Sequence, residues 1–188
     1  MIAVMNEPRK RIHPHKFTLW IGLASIVMMF TGLTSAYIVK RNMANWITFD
    51  LPLIFWYSTA VIISSSITVI ISRNYFRQRE MRKYRLWLAV TFGLGIAFVI
   101  MQIIGFEQLW QSGITLTKNV SFSFLYIIVG LHAIHVIGGL IALAVLLIKA
   151  YSIKRKNYGT VPIELMNTYW HFVDLLWIYL MLFLTMIR

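Results

Sequence analysis

The chain has 188 residues, 59% of them hydrophobic and 13% charged, with a mean hydropathy of +0.72. A water-soluble domain of that size needs far more polar surface, so the composition defines an integral membrane protein, and with no cysteine it holds no disulfide, thiolate metal site or cysteine nucleophile. The formal net charge of +12 would point to nucleic acid in a soluble protein, but here the cations fall between apolar runs and read as topology signals and lipid-headgroup contacts, so no nucleic-acid partner is expected.

Residues 1–16 read as a basic tail, with Arg9, Lys10, Arg11 and Lys16, and with His13 and His15 solvated beside Pro14. The tail runs into an apolar segment without a cleavage signature, so the first span is expected to serve as an uncleaved anchor. That span is Phe17–Val39, with Gly22, Ser25, Gly32 and Ala36 on roughly one stripe. The second, Leu51–Ser72, contains Ser64, Ser65, Ser66 and Thr68, which are expected to bond back to their own helix. The third, Leu86–Phe106, carries Gly93, Ala97 and Gln102. The fourth, about Val120–Ile148, carries Gly138, Ala142, His132 and His135. The fifth, Asn167–Ile187, opens with Tyr169-Trp170-His171-Phe172-Val173-Asp174. Each run meets the ~20 residues needed to cross ~30 Å of hydrocarbon, and only helix satisfies the backbone there. The expected fold is all-α: a polytopic bundle of five transmembrane helices forming one domain over residues 17–188. Small residues four apart are expected to be packing faces.

Fourteen of the 18 Lys and Arg lie in the tail, the second loop and the fourth loop. By the positive-inside rule the N-terminus is cytoplasmic and the C-terminus faces outward. Trp46, Trp56, Tyr84, Trp87, Trp110, Tyr151 and Trp170 lie near span ends and are expected in interfacial belts.

Ionisable groups sunk in the membrane mark function or assembly, since inserting Asp at a helix centre costs roughly 2.5–3.5 kcal/mol. His132 and His135 share a face of the fourth helix, as do His171 and Asp174 of the fifth, with Trp170 and Trp177 flanking Asp174 and Glu164 one turn before the span. Three readings of these groups stand. A zinc, iron or copper site is conceivable from three His and one Asp, but two His three apart on one helix cannot clamp a haem. Neither has a Glu-x-x-His partner, and no His-Glu-x-x-His is present. A proton relay would need polar steps through the whole depth, and the first three helices offer only hydroxyls and Gln102. The plainest reading pairs His132, His135, His171 and Asp174 across the contact of helices four and five as a polar lock.

The string Tyr169-Trp170-His171-Phe172-Val173-Asp174-Leu175-Leu176-Trp177 resembles the C-terminal signature of subunit III of the haem–copper cytochrome c oxidases, Tyr-Trp-His-Phe-Val-Asp-x-x-Trp. Glu164 falls where that family also has a glutamate, and Gly130-x-His132-x-x-His135-Val136-x-x-Gly139 is similar to its preceding motif. Phe30-Thr31-Gly32 and Gln102 also fit. Many members carry Glu in the first of these helices, where this chain has Ile26 in Ala24-Ser25-Ile26-Val27-Met28-Met29-Phe30, so no role of that carboxylate carries over.

The resemblance implies a five-helix bacterial subunit III of the cytoplasmic (inner) membrane, lacking two helices of the seven-helix form. It implies a subunit that is not catalytic by itself, holds no cofactor and packs beside subunit I, which carries haem and copper, in a complex whose subunit II carries copper. It further implies bound phospholipid, support of proton uptake, and a complex that reduces oxygen to water. Quinol oxidases and a nitric-oxide-reductase system share the fold, which leaves the electron donor open. A stand-alone metalloprotein or transporter is the remaining alternative.

Overall fold

The computed structural model describes residues 14–42, 46–48, 51–152 and 159–187. The expectations for Arg9, Lys10, Arg11, His13, Lys154, Arg155, Lys156 and Arg188 lie outside them. Five helices are present: α1 (Pro14–Arg41), α2 (Leu53–Arg77), α3 (Met81–Gln111), α4 (Val120–Tyr151) and α5 (Val161–Met186). All five are long and apolar enough to cross a membrane, and no strand occurs among the described residues.

The helices outrun the apolar runs that announce them. Backbone hydrogen bonding does not stop at the edge of hydrocarbon, so α3 takes in Arg82, Lys83 and Arg85 and reaches 31 residues. His15 and Lys16, placed in the tail by the sequence, sit in the first turn of α1, opened by Pro14, whose missing N–H costs nothing there. Glu164 belongs to the first turn of α5. Elsewhere local chemistry sets the ends. Asn119 caps α4 by accepting the Ser121 N–H at 2.9 Å. Between α2 and α3 the chain reverses in three residues: Arg79 takes a left-handed φ of 64° and Glu80 N–H returns to the Tyr75 carbonyl at 3.1 Å.

That short turn makes α2 and α3 an antiparallel hairpin, cross-tied by Gln102 Nε2 donating to Ser58 Oγ at 2.9 Å and by a 2.8 Å bond between the Thr68 and Thr91 hydroxyls. Next to the hairpin α3 packs on α4, and α4 on α1. Helix α5 touches α1, α2 and α4, while α1 and α2 do not touch each other. The last helix is therefore the hub of a ring left open between α1 and α2. Half of its spanning window is buried within the chain, against 17% for α1.

Two tryptophans turn α5 into the core. Trp170 is fully buried in a slot between Gly95 of α3 and Gly139 of α4: a Cβ on Gly95 would come within 2.9 Å of its ring, and one on Gly139 within 3.0 Å. Trp177 packs edge-on to Phe98 at 5.2 Å. Neither Trp170 nor Tyr84 is an interfacial anchor; both are interior, Tyr84 edge-to-face with Phe76 at 5.1 Å. The small-residue expectation shifts likewise. Gly22, Gly32 and Gly93 meet nothing within 4 Å, and the glycines that matter for packing inside the chain are Gly95, Gly105 and Gly139.

Candidate functional site: a polar seam between α2 and α5

On α5, Glu164, Asn167, His171 and Asp174 recur at three- and four-residue spacing and so form one stripe along the helix. The stripe runs against α2, which is antiparallel to α5 and offers Arg77, Arg73 and Ser66 from its basic end inward. At that end Lys16 Nζ of α1 lies 2.7 Å from Glu164 Oε2 and Arg77 Nη2 of α2 lies 3.6 Å from Oε1, so one carboxylate bridges three helices. The groups are 42%, 28% and 54% exposed for Lys16, Glu164 and Arg77. Such pairs contribute up to about 1 kcal/mol and are screened by salt. Glu164→Gln is accordingly expected to change thermal stability by less than about 1 kcal/mol, with the difference gone in concentrated salt; a melting series across ionic strength checks this.

Above the bridge is a cavity of about 280 Å3, lined by Lys16, Trp20, Arg73, Arg77, Glu164 and Asn167 among others. Deeper along the seam the His171 Nδ1 and the Ser66 hydroxyl share a 2.5 Å hydrogen bond. The same hydroxyl lies beside the Asp174 carboxyl, whose two oxygens are buried and make no hydrogen bond of acceptable geometry. The other edge of α5 is tied to α2 as well: Trp170 Nε1 donates to Ser65 Oγ at 2.9 Å and Trp177 Nε1 to Thr59 Oγ1 at 3.0 Å.

The four groups expected to lock helices four and five therefore do not pair with one another. His171 and Asp174 turn to α2. His132 is fully buried, stacks on Trp177 at 5.0 Å and leaves both ring nitrogens without a hydrogen-bond partner. His135, one turn on, turns away: its Nδ1 contacts the Leu131 carbonyl at 2.7 Å and its ring meets Phe30 of α1 at 5.8 Å. The physical reason is angular, since residues three apart on a helix differ by about 60° in direction and need not face one neighbour. Besides the seating of Trp170 against Gly139, α4 is joined to α5 by Tyr169 Oη donating to the His135 carbonyl at 2.9 Å and by the His132–Trp177 stack.

Sequence reasoning missed the α2 side. Ser64 does bond back, to the Ala60 carbonyl at 2.9 Å, but Ser65 and Ser66 reach across to α5. The available signal was the seven-residue recurrence Thr59, Ser66, Arg73, which sets one polar stripe opposite another of the same period. Ile26, which stands in the glutamate position, is half-buried and packs on the core. Among the described residues no three His, Asp or Glu side chains converge in a way that could hold a metal ion.

A five-helix membrane bundle whose last helix is its hub, keyed by two buried tryptophans and an intramembrane His–Asp stripe, is the class of protein these features define. Residues 15–187 match the family model described as "Cytochrome c oxidase subunit III". The chain belongs to that family. Among its relatives, the "Probable cytochrome c oxidase subunit 3" of Nocardia farcinica is 32% identical over 168 residues, which is 84% of this chain and 80% of that protein. The protein of the same description from Mycobacterium bovis is 31% identical over 173 residues, covering 89% and 85%. The "Cytochrome bo(3) ubiquinol oxidase subunit 3" of Buchnera aphidicola is 29% identical over 169 residues, covering 86% and 88%.

Proposed function

We propose that this chain is the non-catalytic subunit III of an aerobic haem–copper terminal oxidase that takes electrons from cytochrome c, set in the bacterial cytoplasmic membrane with its basic loops and N-terminus inside. The observation that carries this reading is the family match from residue 15 to residue 187, which takes in the whole described bundle. In this role α5 and its tryptophans hold the bundle in shape beside subunit I. Haem and copper belong to subunit I and further copper to subunit II. The basic rim of Lys16, Arg73 and Arg77 supplies positive potential where protons enter. Bound phospholipid is part of the proposal: a groove of about 550 Å3 between α1, α4 and α5 is walled by Leu19, Val145, Leu146 and Leu165 and carries Lys149 at headgroup level, which suits an acyl chain under an anionic head.

A second reading, quinol as the donor, is favoured by the quinol-oxidase relative from Buchnera. One preparation separates the readings. Purification through a tag on this chain in mild detergent is expected to bring down a large polytopic subunit with a haem spectrum and oxygen consumption driven by reduced cytochrome c. Consumption driven by quinol alone would replace the first reading with the second. A chain that purifies without haem-bearing companions would defeat both.

A further inference from the structure

The polar seam continues beyond the cavity at its basic end, and it carries unsatisfied buried atoms at successive depths. Arg73 Nε and Asn167 Oδ1 are buried without hydrogen-bond partners at the inner end of the cavity, and Asn167 is 93% buried as a residue. Arg73 lies within electrostatic reach of both Glu164 and His171, so it spans from the rim to the next level. His171 is joined to Ser66, and Ser66 stands beside Asp174, whose carboxyl oxygens are also unpaired. From Glu164 to Asp174 the stripe advances about 15 Å along α5. Farther out the seam closes: Ile178 follows on α5, and Thr59 is taken by the Trp177 N–H.

Buried polar atoms left without protein partners are the sites where internal water binds, given room and two or more polar contacts. Here Arg73 and Asn167 line a cavity that also holds charged groups, and His171, Ser66 and Asp174 follow one to two turns deeper along the same two helices. We propose that the α2–α5 seam is a one-sided, water-filled inlet that lets Asp174 exchange a proton with the basic face of the membrane and with no other compartment. In the transfer, His171 accepts a proton at Nε2 from cavity water and releases the one on Nδ1 to the Ser66 oxygen. The Ser66 hydroxyl proton passes to the Asp174 carboxylate. One proton leaves the cavity, one carboxylate is neutralised, and no electron moves; the reverse sequence returns it. The ionisable groups along the helices around Asp174, from mid-depth to the basic end, are His171 and Glu164 on its own helix, Arg73 and Arg77 on α2, Lys16 on α1, and His132 and His135 on α4; α3 has none between Arg85 and Glu107. Because the seam stops at mid-depth, it stores a proton without conducting one across the membrane. The inference stands whichever donor the assembled complex uses.

The test is infrared spectroscopy of the complex purified through this chain and reconstituted in lipid. The difference spectrum between wild type and Asp174→Asn isolates the carboxyl band of Asp174. On transfer to heavy water, or after a jump in bulk pH, that band is expected to respond within the mixing time. Asn167→Leu and Ser66→Ala are expected to slow the response by about tenfold or more, as loss of a water contact and of the linking hydroxyl should. Gly93→Leu, on the open face of α3, is expected to leave it unchanged. A band that ignores bulk exchange for hours in wild type, or that responds equally fast in both blocked variants, would overturn the inlet. Should Asn167→Leu fail to assemble, Ser66→Ala, which removes one oxygen atom, decides alone.

Discussion

Trp170→Ala is expected to destabilise the detergent-extracted bundle by about 3–5 kcal/mol, the cost of emptying a fully buried aromatic site, and to do so more than any single change in the charged rim. The slot explains the size. Gly95 and Gly139 have no side chains, so the indole seals against the backbones of two helices at once, and its N–H is held by Ser65. Helix movement could refill the void only by breaking the α3–α4 contact. The converse experiment approaches the slot from the other side. Gly95→Leu drives carbon atoms into space that the Trp170 ring and Leu140 occupy, and overpacking of that kind costs about 1–3 kcal/mol or more. Gly93→Leu, two residues away on the opposite face of α3 with nothing within 4 Å, is the control and should be silent. Thermal unfolding followed by size-exclusion chromatography measures all three. A Trp170→Ala protein as stable as the parent would mean that α5 is not the hub.

His132→Phe is expected to leave the melting temperature unchanged or raise it, by an amount corresponding to about 1–3 kcal/mol, which is the cost of burying a polar group without a partner. The sign is what matters. A polar lock between α4 and α5 would make this substitution damaging, since it removes the lock. The observed geometry has both imidazole nitrogens facing no acceptor or donor while the ring stacks on Trp177 at 5.0 Å, an arrangement that a phenyl ring can reproduce. Because the phenyl ring is a little larger, His132→Leu serves as the smaller alternative. A loss of stability in both variants would show that the imidazole nitrogens are satisfied by bound water.

The five spans were legible because the physical demand on them is simple: an apolar run of sufficient length has one conformation open to it in hydrocarbon. Where the helices end was not, because Arg82, Lys83 and Arg85 continue the backbone pattern of α3 after the apolar signal has stopped. Glu164, His171 and Asp174 of the seam were visible on α5 as a family motif and as a period, and Asn167 was not. Their partners were not. Periodicity places His171 and Asp174 on one face without saying whether α2 or α4 lies opposite, and contact order in a bundle is set by packing over the whole chain. Serine adds a second ambiguity: the same hydroxyl can bond to the preceding turn, as Ser64 does, or across to a neighbour, as Ser66 does, for similar energy. The tryptophan slot was hidden for the opposite reason. Gly95 carries no chemical signature of its own, and only the ring that fills the space beside it reveals its purpose.

The position of α5 has a consequence for how the protein is made. A ribosome delivers the spans in order, and the α2–α3 hairpin can form as soon as its second arm is inserted. The contacts of α5 with α1, α2 and α4 come last, whereas those of α3 with α4 and of α4 with α1 can precede them. Until α5 is inserted, the notch beside Gly95 and Gly139 and the hydroxyls of Ser65 and Ser66 lack the side chains that fill and bond them. A bundle without α5 is left with that slot empty and those hydroxyls unbonded, so insertion of this one helix is what seals it.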